Sequence, residues 1–280
     1  MPIRSPRPGP AGSSAHTSYL HTQIDQIIDG DLGLRRQQDP IHDTRVAIRR
    51  LRSTLRGFRA ALDQTDVGGM ERELKWFAAL LGEVRDCQGQ QRRFTQTLDE
   101  FPDDLILGPV RARIHSHLQS IELPARTRVQ EAMAVDRCLT LMSTLRRWRT
   151  DPPLAGEVTV GSLRARAKKA AHKADKRLVA GLDSGDGAQL HQARKAAKRA
   201  RYAAELIKPL DAKNAKPKAK HYKRIQSVVG DHQDTVVARA ALDRHHRGTA
   251  AAENGFTFGL LCAREYRLAR RSRRDARSLL

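Results

Sequence analysis

Two stretches of the sequence place basic residues at the spacing of one helix face, and each begins with a histidine. The first comprises His42, Arg45, Arg49, Arg52 and Arg56, and the second comprises His191, Arg194, Lys198 and Arg201. On a wheel of 100° per residue, the members of the first stretch fall within about 80° of one another. Each set therefore forms a line of cations along one helix face, which we call a stripe. Like charges at this spacing repel, so each stripe needs an offsetting negative charge. Nearby carboxylates could supply that charge in a purely structural role, but two copies of the stripe favour a site for an external polyanion.

A second motif follows each stripe at nearly the same distance. The block His42–Arg52 is repeated 149 residues later as His191–Arg201, and Gly82 is repeated 148 residues later as Gly230. A glycine inside a helix indicates that another helix or a ligand approaches closely. The aspartate four residues after each glycine is expected to orient arginines of the stripes through charge-assisted hydrogen bonds. Helical spacing around this motif adds three candidate binding residues, Lys75, Arg85 and Lys223.

The elements that must position these residues are helices almost everywhere. Apolar residues recur at intervals of three and four, good helix formers fill the gaps, and strand signals are nearly absent. Breaks rich in Gly, Pro, Asp or Asn separate segments of bundle-helix length, the first of them at Asp29–Gly33. The sequence therefore predicts an all-α fold with an internal duplication. The predicted organisation is a disordered tail at 1–14, a first helical bundle at 15–150, a linker at 151–161 and a second bundle at 162–280.

The duplicated motif resembles the CHAD domain, a helical domain named for its histidines. The resemblance rests on H-x-x-R-x-x-x-R-R-x-R at His42–Arg52, on its second copy at His191–Arg201, and on L-G-x-x-R-D at Leu81–Asp86. It implies two antiparallel four-helix bundles related by pseudo-two-fold symmetry, with a basic groove or channel that binds inorganic polyphosphate. It also implies, as in some members, a location on polyphosphate granules. The second copy departs from the first at Gln233, where the first has Arg85.

The charge of the chain is compatible with this interpretation and with one rival. Lys and Arg outnumber Asp and Glu by 52 to 31, a formal net charge of +21. Such an excess alone gives salt-dependent affinity for any phosphate backbone, so weak, non-specific nucleic-acid binding is the alternative function. Sequence-specific recognition is not indicated, and aromatic residues that could stack on bases are few, 4% of the chain.

Several other classes of protein are excluded or disfavoured. No apolar run approaches the eighteen or more residues of a transmembrane helix, so we expect no membrane partner. Three widely spaced cysteines suit a reducing cytoplasm better than a disulfide framework. No phosphate loop, zinc-protease motif or C-x-x-C pair is present, so the sequence predicts a non-enzymatic protein without a cofactor or metal. The sequence does not indicate an oligomeric state.

Overall fold

The protein is built from α-helices. The structure, a computed structural model, describes residues 11–156, 158–247 and 255–280. The helices are α1 (Ala11–Arg35), α2 (Ile41–Gly57), α3 (Gln64–Val67), α4 (Met70–Asp99), α5 (Val110–Ala134), α6 (Asp136–Thr150), α7 (Val160–Ser184), α8 (Gly187–Ile207), α9 (Ala212–Arg247) and α10 (Phe256–Arg277). Within the described residues the only β pairing is an isolated antiparallel bridge between Leu62 and Leu154. The predicted all-α fold is confirmed. None of the described helices has the length and apolar character needed to cross a bilayer.

The first helix begins earlier than the sequence predicted. Residues 1–10 of the predicted tail lie outside the described residues, but residues 11–14 are the first turn of α1, so their predicted disorder is wrong. The Oγ of Ser13 accepts a hydrogen bond from the backbone N–H of Val158 at 3.0 Å. Gly12 lies so close to the same segment that an added Cβ would be 2.1 Å from the Val158 carbonyl oxygen. The absence of a side chain at Gly12 lets the helix start against this backbone.

The predicted break at Asp29–Gly33 is also wrong, because α1 continues through it to Arg35. Gly30 is buried where α1 packs against α2, and a Cβ there would lie 2.0 Å from Oγ1 of the buried Thr44. That hydroxyl donates to the carbonyl oxygen of Pro40 at 2.8 Å, at the start of α2. The glycine therefore permits close helix packing and does not end the helix.

Gly30→Ala is expected to lower the free energy of unfolding by about 1–3 kcal/mol, because the added methyl group must displace Thr44 from a well-packed site. Gly57→Ala is the matched control, since nothing lies within 4 Å of the position a Cβ would take there. Alanine is the better helix former, so the control should show no loss of stability. Urea unfolding of both variants measures the difference, and equal stability of the two would contradict the packing described.

The chain divides into two compact units that interleave along the sequence. Unit 1 consists of the described parts of Met1–Ala78, Ala132–Ala174 and Ala196–Lys223. Unit 2 consists of the described parts of Ala79–Glu131, Asp175–Lys195 and Arg224–Leu280. The units differ from the predicted division into 15–150 and 162–280 because α4, α5, α7, α8 and α9 each run through both units. The internal duplication and the pair of four-helix bundles stay predictions.

Each unit has an apolar core of its own. In unit 1, Phe58 at the end of α2 packs with Leu163 of α7 and Leu206 of α8. In unit 2, Phe94 of α4 packs with Ile114 of α5 and Leu261 of α10. Burying such side chains contributes roughly 1.5–3 kcal/mol for each large apolar residue. These cores fix the helices whose other faces carry the basic residues.

A histidine is buried in unit 1 without a hydrogen-bond partner among the described residues. His16 of α1 is fully buried, neither of its ring nitrogens is bonded, and its ring centroid lies 5.6 Å from that of Phe58. Burial and, to a smaller extent, the charge of Arg166 together lower the pKa of His16 from 6.5 to about 4. The imidazole is therefore neutral in the folded protein at neutral pH.

The buried His16 should make the protein less stable as pH falls below 6.5. Above that pH the imidazole is neutral in both the folded and the unfolded chain, so it has no effect. Below it only the unfolded chain takes up the proton, so the free energy of unfolding should be about 2 kcal/mol lower at pH 5 than at pH 7 from this group. His16→Leu should remove this part of the pH dependence in urea unfolding at the two pH values. A variant with the pH dependence of the parent protein would show that His16 is not the cause.

Candidate anion-binding site

Helix α2 presents the first stripe beside a buried apolar face. The side chains of Ile41, Ile48, Leu51 and Leu55 are buried. The basic residues flank that face: Arg45, Arg49 and Arg52 are half-buried, and His42 and Arg56 are exposed. A stripe at the edge of the buried face holds the alkyl parts of its arginines against protein and leaves the guanidinium groups near solvent.

Glu71 at the start of α4 holds the end of this stripe. Its Oε1 accepts hydrogen bonds from Nη2 of Arg56 and, at 3.4 Å, from Nη2 of Arg52. The hydrogen bond from Arg56 lowers the pKa of the Glu71 carboxyl group, so it is ionised at neutral pH. The same contact raises the pKa of Arg56, whereas burial lowers the pKa of Arg52. One carboxylate thus positions two arginines and cancels the charge of one.

Glu205 of α8 likewise accepts hydrogen bonds from two arginines. Its Oε1 accepts from Nε of Arg201 at 2.7 Å, and its Oε2 accepts from Nε of Arg50 at 3.1 Å. Both guanidinium carbons lie 5.7 Å from the ring centroid of Tyr202. On the helical wheel Arg50 points away from the stripe. The structure shows that Arg50 joins α2 to α8 within unit 1.

Two arginines of the stripe keep buried donors that the described residues do not satisfy. The Nε atoms of Arg49 and Arg52 are buried and have no hydrogen-bond partner there. A buried donor without an acceptor costs roughly 1–3 kcal/mol, and more when the group is charged. A bound anion would supply acceptors to both.

In unit 2, a carboxylate also lies beside an arginine at the start of the second stripe. Nη1 of Arg194 lies 3.6 Å from Oδ1 of Asp234, an ion pair that is longer than a hydrogen bond. The aspartate therefore lies beside an arginine of the stripe, and the charge-assisted hydrogen bond between them stays a prediction. Gly230 lies one turn earlier on α9, and an added Cβ there would be 3.1 Å from Nη2 of Arg194. The predicted close approach at Gly230 is therefore made by a guanidinium group of the stripe. His191 is half-buried on the same helix as Arg194.

The structure distributes the predicted binding residues unequally between the units. Unit 1 contains His42, Arg45, Arg49, Arg52, Arg56, Lys75, Lys198, Arg201 and Lys223. Unit 2 contains Arg85, His191 and Arg194. Most of the predicted site therefore belongs to one compact unit, and residues from both copies of the motif contribute to it.

Sequence reasoning missed two groups of residues. Glu71 has no fixed spacing from the stripe it holds, so no local pattern indicates it. Helix α7 adds Arg166, Lys169 and Lys173 beside the end of α2, in unit 1. Their spacing of three and four places them on one helix face, but they belong to no repeated motif.

No metal site is formed by the part of the chain that the structure describes: it contains no cluster of three or more His, Cys, Asp or Glu side chains suited to a metal ion. His232, which lies between Asp231 and Asp234 in the sequence, bonds to an arginine instead. Nε2 of His232 accepts a hydrogen bond from Nε of Arg273 at 2.9 Å. Burial lowers the pKa of this histidine, and the charge of Arg273 contributes to the same lowering. His232 is a neutral acceptor within unit 2.

These observations define a class of protein: an all-helical chain whose arginines are held by shared carboxylates. The model of the CHAD domain matches residues 18–243, and the chain belongs to the CHAD domain family. The motif-based resemblance is thereby confirmed.

Two curated relatives share the sequence over nearly all of this chain. They are the uncharacterized proteins MT2285 and Rv2226 of Mycobacterium tuberculosis, from strains CDC 1551 and H37Rv. Each is 31% identical over 98% of this chain. The match covers 53% of each relative, so the chain spans about half the length of the curated relatives it matches.

Two solved structures share the fold. PptA from Streptomyces chartreusis superposes with a TM-score of 0.79 at 21% identity, covering 97% of this chain and 99% of PptA. The CHAD domain from the plant Ricinus communis superposes with a TM-score of 0.71 at 24% identity, covering 98% of this chain and 96% of that domain. At these identities the likeness shows the fold.

Proposed function

We propose that this protein binds inorganic polyphosphate without chemical change, through the α2 stripe and the arginines that Glu71 and Glu205 hold in unit 1. The observation that carries the proposal is the sharing of carboxylates. Glu71 serves Arg52 and Arg56, and Glu205 serves Arg50 and Arg201. Each carboxylate positions two guanidinium groups and neutralises one, so each cluster keeps a net positive charge.

The arginines suit phosphate for chemical reasons. A guanidinium group is planar, stays charged at any physiological pH, and presents paired N–H donors that match two phosphate oxygens. Arg49 and Arg52 also carry buried Nε donors without acceptors among the described residues. A chain of phosphates offers acceptors at short, regular intervals, and it relieves the repulsion within the α2 stripe.

The aromatic side chains near the stripes favour inorganic phosphate over a nucleic acid. Tyr202 and Tyr222, which lie beside the basic motifs, are only 5% and 4% exposed. Trp76, next to Lys75, is half-buried, and the guanidinium carbon of Arg137 lies 4.2 Å from its ring centroid, so one face of this ring is already occupied. Binding of single strands usually uses exposed aromatic rings on which bases stack. Among its described residues, unit 1 therefore offers hydrogen bonds and charge but no exposed Phe, Trp or Tyr ring.

Family membership supports the same proposal, because the CHAD resemblance implies polyphosphate binding. A non-catalytic role in the cytoplasm and recruitment to polyphosphate granules belong to this proposal as well. Because the curated relatives are about twice as long as this chain, any activity of the longer proteins is a separate matter from binding by this domain.

Titration of the chain with long-chain polyphosphate at several salt concentrations tests the proposal. Polyanion binding releases condensed counterions, so affinity should fall steeply with salt. We take the dependence of log affinity on log salt concentration to be like that of single-stranded nucleic acids. If about four phosphates are neutralised, the affinity then falls on the order of 50-fold between 50 and 200 mM salt. A flat response would argue against a polyphosphate ligand.

Competition with DNA separates the two candidate ligands. Long-chain polyphosphate should displace bound DNA at a much lower phosphate concentration than DNA needs to displace polyphosphate. Equal displacement at equal phosphate concentration would favour the non-specific nucleic-acid alternative.

A further inference from the structure

A cavity in unit 1 shares Arg56 with the α2 stripe and otherwise extends to one side of it. It has a volume of about 440 Å³ and lies between the end of α2, the middle of α7 and α8. On a helical wheel, Ser53 and Gly57 are displaced from the centre of the stripe toward Arg50. Five basic side chains line the cavity: Arg56, Arg166, Lys169, Lys173 and Arg199. None of its lining residues is Asp or Glu, so the concave surface concentrates positive charge.

The basic residues of this cavity are held in place on one side and accessible on the other. Nη1 of Arg166 donates to the carbonyl oxygen of Gly57 at 2.9 Å, which fixes the guanidinium at the end of α2. Lys169 and Lys173 are exposed on the next turns of α7, and neither forms an ion pair within the described residues. Cations one turn apart without carboxylates repel each other, and a multivalent anion between α7 and α8 would remove that repulsion.

The floor of the cavity is apolar, which a bare phosphate chain does not require. Phe58, Ala170 and Ala203 contribute to the core of unit 1 and also line the cavity. An apolar floor beneath a polar rim, at a volume within the usual range of 300–1,000 Å³, is typical of sites for small organic ligands.

We propose that this cavity binds an organic phosphate ester with two or three phosphates and an aromatic body, the class that includes nucleoside di- and triphosphates. The phosphates contact Lys169, Lys173 and the Arg166 guanidinium, and the aromatic body lies over Ala170 and Ala203. This site is separate from the one proposed for inorganic polyphosphate, although Arg56 reaches both.

Calorimetric titration of the full chain with ATP, tripolyphosphate and adenosine tests this site. ATP should bind at least tenfold more tightly than tripolyphosphate, because only ATP also covers the apolar floor, and adenosine should bind weakly. Equal affinity for ATP and tripolyphosphate would overturn the assignment to an organic ligand. No ATP binding would overturn the site altogether.

Two variants locate the binding. Lys169→Gln combined with Lys173→Gln should weaken ATP binding at least tenfold, and Ala170→Glu, which places a carboxylate in the cavity, should do the same. The control is Lys168→Gln combined with Lys176→Gln, which removes two exposed lysines from the same helix and should change ATP affinity less than twofold. Equal losses in the control and the cavity variants would overturn the location.

Titration of the same variants with long-chain polyphosphate keeps this inference distinct from the proposed function. The cavity variants should lose much less affinity for polyphosphate than for ATP. If they lose both equally, the cavity is part of the polyphosphate path and the separate site is wrong. If the protein binds ATP at the cavity and no polyphosphate, the proposed function fails and this inference stands.

Discussion

Replacing Arg45, Arg49 and Arg52 together by glutamine is expected to weaken binding of long-chain polyphosphate on the order of 100-fold. Each hydrogen bond to a charged group contributes about 1.5–3 kcal/mol, and the three residues share the contacts of one phosphate stretch, so the losses do not add fully. Arg56 stays paired with Glu71 in this variant, which leaves no isolated carboxylate at the end of α2. Fluorescence or calorimetric titration at fixed salt measures the loss.

The matched control removes the same charge elsewhere. Arg267, Arg270 and Arg274 are exposed on α10 in unit 2, and replacing all three by glutamine lowers the net charge by the same three units. If binding depended only on total charge, both variants would lose equal affinity. We expect the α10 variant to retain affinity within a few-fold of the parent protein, and an equal loss would contradict a localised binding site.

The second large effect concerns the stability of unit 2. Arg93 of α4 forms a two-pronged ion pair with Glu265 of α10, with Nε to Oε1 at 2.8 Å and Nη2 to Oε2 at 2.5 Å. The Glu265 side chain is 2% exposed. Arg93→Met would leave this carboxylate buried without its partner, so the free energy of unfolding should fall by about 3–5 kcal/mol.

Two further variants separate the cost of the unpaired buried charge from the cost of altered packing. Replacing both residues, Arg93→Met with Glu265→Met, should recover most of the lost stability, because no charge is then left buried. Arg111→Met breaks the exposed pair with Asp99 on the same unit and should cost at most about 1 kcal/mol. Urea unfolding measures all three. A double variant as unstable as Arg93→Met alone would show that the packing, and not the buried charge, is responsible.

Much of the helical fold follows from sequence periodicity, because intervals of three and four between apolar residues describe one face of a helix. The errors arose where a glycine could end a helix or allow close packing. Gly30 and Gly12 look like helix breakers in the sequence, and only their neighbours, Thr44 and Val158, show that they permit contact. Such neighbours are distant in sequence, so no local pattern contains them.

The division into two units also depends on contacts between residues that are distant in sequence. A repeat in the sequence suggests that each half folds by itself, and the Pro-rich segment 151–161 looks like a boundary. The long helices, of which α9 has 36 residues, instead contribute to both units. Helix length can be estimated from a pattern, but which stretches of helices pack together is decided by side-chain contacts across the chain.

Helical spacing in the sequence indicates the basic residues of the candidate site. It does not indicate all the carboxylates that pair with them. Arg201 and Glu205 are four residues apart on one helix, a pairing that helical spacing indicates. Arg50 and Glu205 are separated by 155 residues, so that contact is visible only in three dimensions. The sharing of one carboxylate by two arginines, which leaves the site positively charged, depends on both contacts.

The most direct test of the central claim is a crystal structure of this protein with bound polyphosphate. We expect density for a phosphate chain within hydrogen-bond distance of Arg45, Arg49 and Arg52, with phosphate oxygens accepting from the Nε donors of Arg49 and Arg52. Phosphates bound only elsewhere, with the α2 stripe left in contact with solvent, would contradict it.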